Sequence, residues 1–379
     1  MQQFSVIPYE PPVTAAALRA EVRAFLKDTM GSVSVATRAR TWAGYDAEFS
    51  KKIGAKGWIG MTWSKKYGGG ERSMLERYVV TEELLAGGAP VGAHWIADRQ
   101  SGPLLLRFGT EAVRDRYLPG IIRGEIYSCI GMSEPGAGSD LASIRSQARK
   151  VDGGWRVNGQ KVWTTNAHRA HFVIALLRTR EGSTRHEGLS QLLIDLKSPG
   201  ITVRPIADLT GETDFNEIFF DDVFVGDDYL IGKEGNGWAQ VTAELSLERS
   251  GAERLLSSFQ LVIELMRHVG PNPPPAVQAL IGRMAAEMWT LRQMSLSVAS
   301  TLDQGKDPVL EAAVVKDLGN AFEQELPRAI QALVETDLSD GSAFAETLGI
   351  LLQFSPVFSL RGGTREILRG IIARGLGLR

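Results

Sequence analysis

A glutamate and an arginine, Glu248-Arg249, interrupt an apolar stripe made by Trp238, Val241, Leu245, Ala252, Leu255, Leu256, Phe259, Val262, Ile263 and Met266. The spacing of that stripe predicts one long helix over residues 238–268. Helical spacing asks for an apolar residue where the pair stands. A carboxylate buried there would have its charged form disfavoured and its pKa raised, which suits a base that removes a weakly acidic proton near neutral pH. The plainer reading is a buried ion pair, or a helix lying along a cleft edge. On these residues alone it is the favoured one, because structural ion pairs outnumber catalytic ones. Glu244, one turn earlier at the edge of the stripe, is the rival base.

A second anomaly is Gly131-Met132-Ser133-Glu134-Pro135-Gly136-Ala137-Gly138-Ser139-Asp140. Glycines and small hydroxyls let a backbone approach a flat or polyanionic ligand and offer it N–H and O–H donors. As composition it is also a plain loop, and Trp163-Thr164-Thr165-Asn166 reads as core and turn as readily as a ligand contact. Gly136-Ala137-Gly138 lacks the spacing and following helix of a dinucleotide fingerprint, and no Walker lysine is present. One cysteine, Cys129, and 5 histidines with neither C-x-x-C nor H-E-x-x-H exclude a disulfide framework and a structural zinc site, so no metal is expected.

These residues must be positioned by a chain of 379 residues, long enough for two or three domains. With 42 basic against 44 acidic side chains, the charge balance supports neither a nucleic-acid nor a membrane-surface partner. No apolar run approaches the length that spans a bilayer, and the first residues lack a basic segment followed by an apolar one. A soluble, cytoplasmic protein is expected. Leu18, Val22, Phe25 and Leu26 recur at helical spacing behind Pro11-Pro12, and Ser73-Met74-Leu75-Glu76 is a capping box that opens a second helix. Beyond residue 125 the period shortens toward two. Asp152-Gly153-Gly154 and Asn158-Gly159 flank a short strand over 155–157, and further strands are expected over 171–177, 189–196 and 218–225. Helices return over 238–268, 276–302 and 309–326, broken by the prolines of 271–275 and by residues 305–308. Helices, then sheet, then helices is an α+β arrangement, divided as an N-terminal helical domain (1–125), a central β domain (126–235) and a C-terminal helical bundle (236–379).

Four stretches in this order resemble the signature segments of flavin-dependent acyl-CoA dehydrogenases: residues 131–140, Asn158-Gly159-Gln160-Lys161-Val162-Trp163-Thr164-Thr165-Asn166, Phe215-Asn216-Glu217-Ile218-Phe219-Phe220-Asp221-Asp222-Val223, and Gly362-Gly363-Thr364-Arg365-Glu366-Ile367-Leu368-Arg369. Lys56-Gly57-Trp58-Ile59-Gly60 and Tyr67-Gly68-Gly69 are similar to the family's N-terminal region. The resemblance implies a central β-barrel-like domain and a C-terminal four-helix bundle with FAD between them, and a CoA thioester against the flavin. It also implies α,β-dehydrogenation of an acyl-CoA, with electron-transfer flavoprotein as acceptor. Carried over by position, Ile130, Met132, Ser133, Gly138 and Ser139 line the cofactor, with Ser139 also near the CoA chain. Trp163 packs beside the ring system, the Thr165 hydroxyl points to its reactive edge, and Thr364 and Glu366 touch the cofactor. Arg249 matches an arginine used in acyl-CoA binding. Many members carry the base immediately before the Gly-Thr of the last motif; here that substrate-side position is Gly362. A minority carry it in a Leu-Glu-Arg context on the first bundle helix, as in Leu247-Glu248-Arg249, so the resemblance selects Glu248.

Two departures bear on assembly. Arg267-His268-Val269-Gly270 stands where the family has Arg-x-x-Phe-Gly-x-x-Leu, and the later glycine-rich segment is not recognisable over 339–358. Bacterial steroid-degrading members resemble this chain in both respects and form mixed tetramers, in which a second, related subunit supplies the missing cofactor contacts. His94-Trp95-Ile96-Ala97-Asp98-Arg99-Gln100 also looks like that branch. A homo- or hetero-oligomer acting on a bulky, steroid-derived acyl group is therefore the expectation. The alternatives are a non-catalytic partner subunit of such a heteromer and a related flavin oxidase or monooxygenase.

Overall fold

The computed structural model describes residues 4–9 and 13–378, the side chains of residues 243–248 excepted. Pro11 and Pro12, which precede the first helical stripe in the sequence, lie outside the described residues. Helices come first: α1 (Val13–Thr29), α2 (Val35–Arg40), α3 (Ala47–Ala55), α4 (Met74–Ala86), α5 (Gly92–Ile96), α6 (Gly102–Phe108) and α7 (Glu111–Ile122). Strands follow: β1 (Ser128–Gly131), β2 (Gln147–Val151), β3 (Gly154–Thr165), β4 (Phe172–Arg178), β5 (Leu189–Asp195), β6 (Ile201–Ile206), β7 (Phe215–Gly226) and β8 (Leu230–Ile231). Helices then resume with α8 (Gly237–Glu248), α9 (Glu253–Leu256), α10 (Phe259–Val269), α11 (Pro275–Asp303), α12 (Val309–Leu333), α13 (Ala343–Phe354) and α14 (Arg365–Gly375).

The contacts divide the chain into two compact units, one of residues 1–46, 72–92 and 248–379, the other of 47–71 and 93–247. The first is helical. Ala15, Leu18, Val22 and Leu26 bury one stripe of α1, which packs on α4; α4 also meets α11, and α11 meets α12. The Ser73 hydroxyl accepts from the Glu76 amide at 3.1 Å while the Glu76 carboxylate accepts from the Ser73 amide at 3.0 Å, so the expected capping box fixes the start of α4. On the inner face of α4, Glu82 and Glu83 are buried but answered by Arg292 at 2.5 Å and Arg23 at 2.6 Å.

Two helical expectations are corrected. The helix expected to end at 326 runs to Leu333, through Pro327. Proline has no N–H for the Glu323 carbonyl four residues back, and the Ser258 hydroxyl donates to that carbonyl instead at 3.3 Å. The single helix expected over 238–268 is three pieces, with turns between Glu248 and Glu253 and again at Ser257-Ser258. Ser250-Gly251 favours such a break, and it removes the continuous spacing on which the stripe was read. Met266, placed in that stripe, is 56% exposed.

The second unit is built on an eight-stranded sheet in the order β6-β7-β3-β2-β4-β5-β8, with β1 parallel to β4. Residues 172–177 of β4 are buried on both faces and read as an unbroken apolar run. Val173, Ala175 and Leu177 pack with Trp155, Leu192 and Ile218 on one face; Leu176 turns to the other with Leu189, Ile144 and Val241 from the first turns of α8. The short strand expected over 155–157 is the beginning of a 12-residue strand. Asn158-Gly159 is no hairpin turn: the register against β7 shifts there, and a Cβ on Gly159, at φ 144°, would lie 2.3 Å from the Ser146 hydroxyl. Strands β1, β2 and β6 were not anticipated. They are short or carry charges on an exposed face, and periodicity sees them poorly.

Candidate active site

In the sheet unit, β1 leads the chain through half-buried Ile130 into the glycine-rich loop. Half-buried Met132 packs on the cluster of Ala137, Ile144, Leu176, Leu189 and Val241. The Ser133 carbonyl accepts from the Val162 amide of β3 at 2.9 Å, leaving the half-buried serine side chain on the loop. Glu134 and Ala137 exchange backbone bonds of 2.9 and 3.0 Å across Pro135-Gly136, closing a tight turn. Gly136 within the turn, and Gly138 and Ser139 after it, are exposed, and a Cβ built on either glycine meets nothing within 4 Å. The chain's own packing gives no reason for glycine at 136 or 138.

A buried ion pair holds this loop. Lys161, fully buried, donates from Nζ to Glu134 Oε1 at 2.8 Å and to the Met132 carbonyl at 3.1 Å. The Glu134 carboxylate also accepts from the Arg145 amide at 2.6 Å and the Ser146 amide at 2.9 Å. Burial pushes the Lys161 ammonium down to about 8 against the pull of Glu134. Burial also works to raise Glu134, but the Lys161 charge and the amide donors outweigh it and hold the carboxyl below its usual value.

Immediately after Lys161 the register of β3 against β7 shifts again, and Trp163 takes φ 59°. A left-handed tryptophan is uncommon and strained. The bulge turns its indole outward, 59% exposed, with an edge-on contact to Phe215 at 6.1 Å. Thr165, half-buried, pairs with Phe215. Between them the Thr164 hydroxyl is buried with no partner among the described residues. Asn216 anchors this strand end by donating to the Thr164 carbonyl at 2.9 Å.

α8, carried by the sheet unit up to Leu247, ends at Glu248, the residue with which the helical unit resumes; the side chains of Glu248 and Glu244 lie outside the described residues. Arg249 follows, buried at 5% exposure, and its carbonyl accepts from Arg254 Nε at 3.1 Å. Gly362 and Gly363 both lie in the left-handed region, at φ 61° and 98°. They deliver the chain to Thr364, the N-cap of α14. The exposed Glu366 carboxylate accepts from its own amide and from the Thr364 hydroxyl, which holds it below its usual pKa. The sequence reading missed the Lys161–Glu134 pair, although both residues stood inside quoted motifs. It also missed a buried polar ladder on α12, where Lys316, Asn320 and Glu323 recur at helical spacing in an apolar stripe.

Three family models cover the chain in succession: the acyl-CoA dehydrogenase N-terminal domain over residues 13–125, the middle domain over 129–223 and the C-terminal domain over 235–377. The chain belongs to the acyl-CoA dehydrogenase family. Its N-terminal helices, central sheet and C-terminal helices are that family's architecture, and the activity is that of an oxidoreductase. Among its relatives, acyl-CoA dehydrogenase IpdE1 of Mycobacterium tuberculosis is 33% identical over 379 residues, covering 95% of this chain and 97% of the relative. The solved structure "Tcur3481-Tcur3483 steroid ACAD" is similar with a TM-score of 0.86 at 26% identity, covering 97% of this chain and 98% of that one. The FAD complex of PigA is similar with a TM-score of 0.84 at 25% identity, covering 98% of this chain and all (100%) of that one. The family's cofactor fits residues seen here: an uncovered indole held out by a strained bulge, two glycines facing open space, and the buried Thr164 hydroxyl, which has no partner among the described residues.

Proposed function

We propose that this acyl-CoA dehydrogenase uses FAD to oxidise the α,β-bond of a bulky, steroid-derived acyl-CoA, with Glu248 as the base. The observation that carries the reading is Gly362: at φ 61° on the approach to Thr364, it has no side chain to take a proton. The carboxylate must come from elsewhere, and Glu248 ends α8 directly before the buried Arg249. Glu248 takes the α-proton, and Arg249 and Ser139 bind the CoA thioester. FAD, when bound, supplies the acceptor for the β-hydrogen, which leaves as hydride, and passes the electrons onward. A thioester α-proton is too weakly acidic for an unaided carboxylate, so hydrogen-bond donors to the developing enolate in a water-poor site are required. Ile130, Met132, Ser133, Gly138, Ser139, Trp163 and Thr165 are the chain's cofactor contacts, as are Thr364 and Glu366. Electron-transfer flavoprotein is the acceptor, and a related subunit completes the oligomer. The steroid label on one structural neighbour supports the bulky acyl group, and its two-part name supports the mixed assembly.

The test is anaerobic bleaching of the flavin by straight-chain, branched and steroidal CoA thioesters, with and without the candidate partner subunit. Glu248→Gln is expected to keep its flavin and slow bleaching by on the order of 10³-fold or more. Unchanged bleaching would reject Glu248 and pass the role to Glu244.

A further inference from the structure

Two successive carbonyls of the glycine-rich loop are held by two successive residues of β3. The Met132 carbonyl accepts from Lys161 Nζ at 3.1 Å and the Ser133 carbonyl accepts from the Val162 amide at 2.9 Å. The next residue is Trp163, displaced outward by the bulge. Lys161 is the last residue of β3 in register with β7, opposite Ile218, before the shift to Thr164 opposite Asn216. One side chain thus sits where the loop and the bulge are fixed to each other. An apolar residue at this fully buried position would avoid the cost of desolvating an ammonium, and replacing a buried pair by apolar groups is often neutral for stability. Stability therefore gives no reason for a lysine here, whereas capture of the Met132 carbonyl and the Glu134 carboxylate does.

We propose that Lys161, with Glu134, is the positioning residue that sets the loop at Met132 and Ser133 against the Trp163 indole, so that both meet the flavin in a fixed relation. The inference rests on the reading of this loop and indole as cofactor contacts. Neither Lys161 nor Glu134 touches the reacting atoms in this scheme. Both act through the backbone they hold.

The experiment uses the full chain with its partner subunit, comparing wild type with Lys161→Met, Glu134→Gln and the double variant. Three quantities are read: the thermal midpoint, amide exchange at Arg145, Ser146 and Val162, and FAD affinity together with the visible spectrum of the bound flavin. The double variant is expected to stay folded and to lose protection at Val162 by at least ten-fold. It is expected to bind FAD at least ten-fold more weakly, with a displaced flavin band. Glu134→Gln keeps the side-chain volume and one acceptor, and is expected to show a smaller loss in the same direction. Folded variants with unchanged Val162 protection and unchanged FAD affinity would overturn the clamp, as would a fall in thermal midpoint with no change in flavin affinity. If wild type with its partner binds no FAD, the cofactor reading of the loop fails, and the amide exchange still decides whether Lys161 fixes it.

Discussion

In the sheet unit, Glu134 meets Lys161 and two backbone amides, so both of its carboxylate oxygens have donors. In the helical unit, Glu323 is fully buried on α12 and faces Arg361 at 3.5 Å. Its Oε1, and both polar atoms of Asn320 one turn away, find no partner among the described residues. The difference follows from the backbone. A loop leaving a strand has amides not claimed by a ladder, and they turn toward a carboxylate. Inside a helix every N–H is spent on the carbonyl four residues back, so an acid buried between helices depends on other side chains. Burial accordingly raises Glu323 above its usual pKa despite Arg361 and Arg254, while Glu134 is held low.

The sharpest way to break this contrast is to remove the cation from each region. Arg361 donates toward Glu323 and the Ser257 hydroxyl and lies over the Trp42 ring at 4.0 Å. Arg361→Met leaves Glu323 with no backbone donor to fall back on. An unfolding loss of about 3–5 kcal/mol is expected in denaturant titration, the range for a buried pair deprived of one partner. Lys161→Met, which leaves Glu134 its two amide donors, is expected to cost far less. Losses of similar size at the two places would mean that backbone amides do little for Glu134.

A buried group in the sheet unit whose hydrogen-bond partner is uncharged extends the contrast to pH. His94 is 5% exposed, hydrogen-bonded from Nδ1 to the Ser50 hydroxyl at 2.8 Å, and burial lowers its pKa from 6.5 to about 4 against a weaker opposing pull from Asp98. The unfolded chain binds the proton first, so this residue's stabilising effect is complete above pH 6.5 and is lost as pH falls toward 4. At about 1.4 kcal/mol per pH unit the loss approaches 3 kcal/mol. Stability measured from pH 7 to 4 is expected to fall less steeply in His94→Gln than in wild type. Parallel curves would show that His94 does not carry the acid limb.

What could be read from the sequence divides along the same line. The apolar stripe of α1, the capping box of α4 and the largely apolar core strands β4 and β5 are local patterns, and they form where expected. The breaks around Arg249 and the passage of α12 through Pro327 depend on partners far along the chain, such as the Ser258 hydroxyl, and no local pattern announces them. At the candidate site the motifs named the loop, the indole and the α14 cap. They did not reveal that Lys161 joins loop to strand, because a lysine within a β-run looks solvated until its burial is known.

The smallest expected effect concerns Trp163. A residue kept for the chain's own packing is buried by it, yet this indole is 59% exposed and its backbone lies at φ 59°. Asparagine tolerates that conformation better than tryptophan does. Trp163→Asn is therefore expected to leave the apoprotein as stable as wild type or about 1 kcal/mol more stable, while weakening FAD binding. That combination, read by thermal unfolding with and without added FAD, separates a side chain retained for a ligand from one retained for the fold. Loss of stability in the apoprotein would instead place Trp163 among the packing residues, with Phe215 as its partner. The sheet unit would then show no exposed aromatic held at a cost to its own backbone.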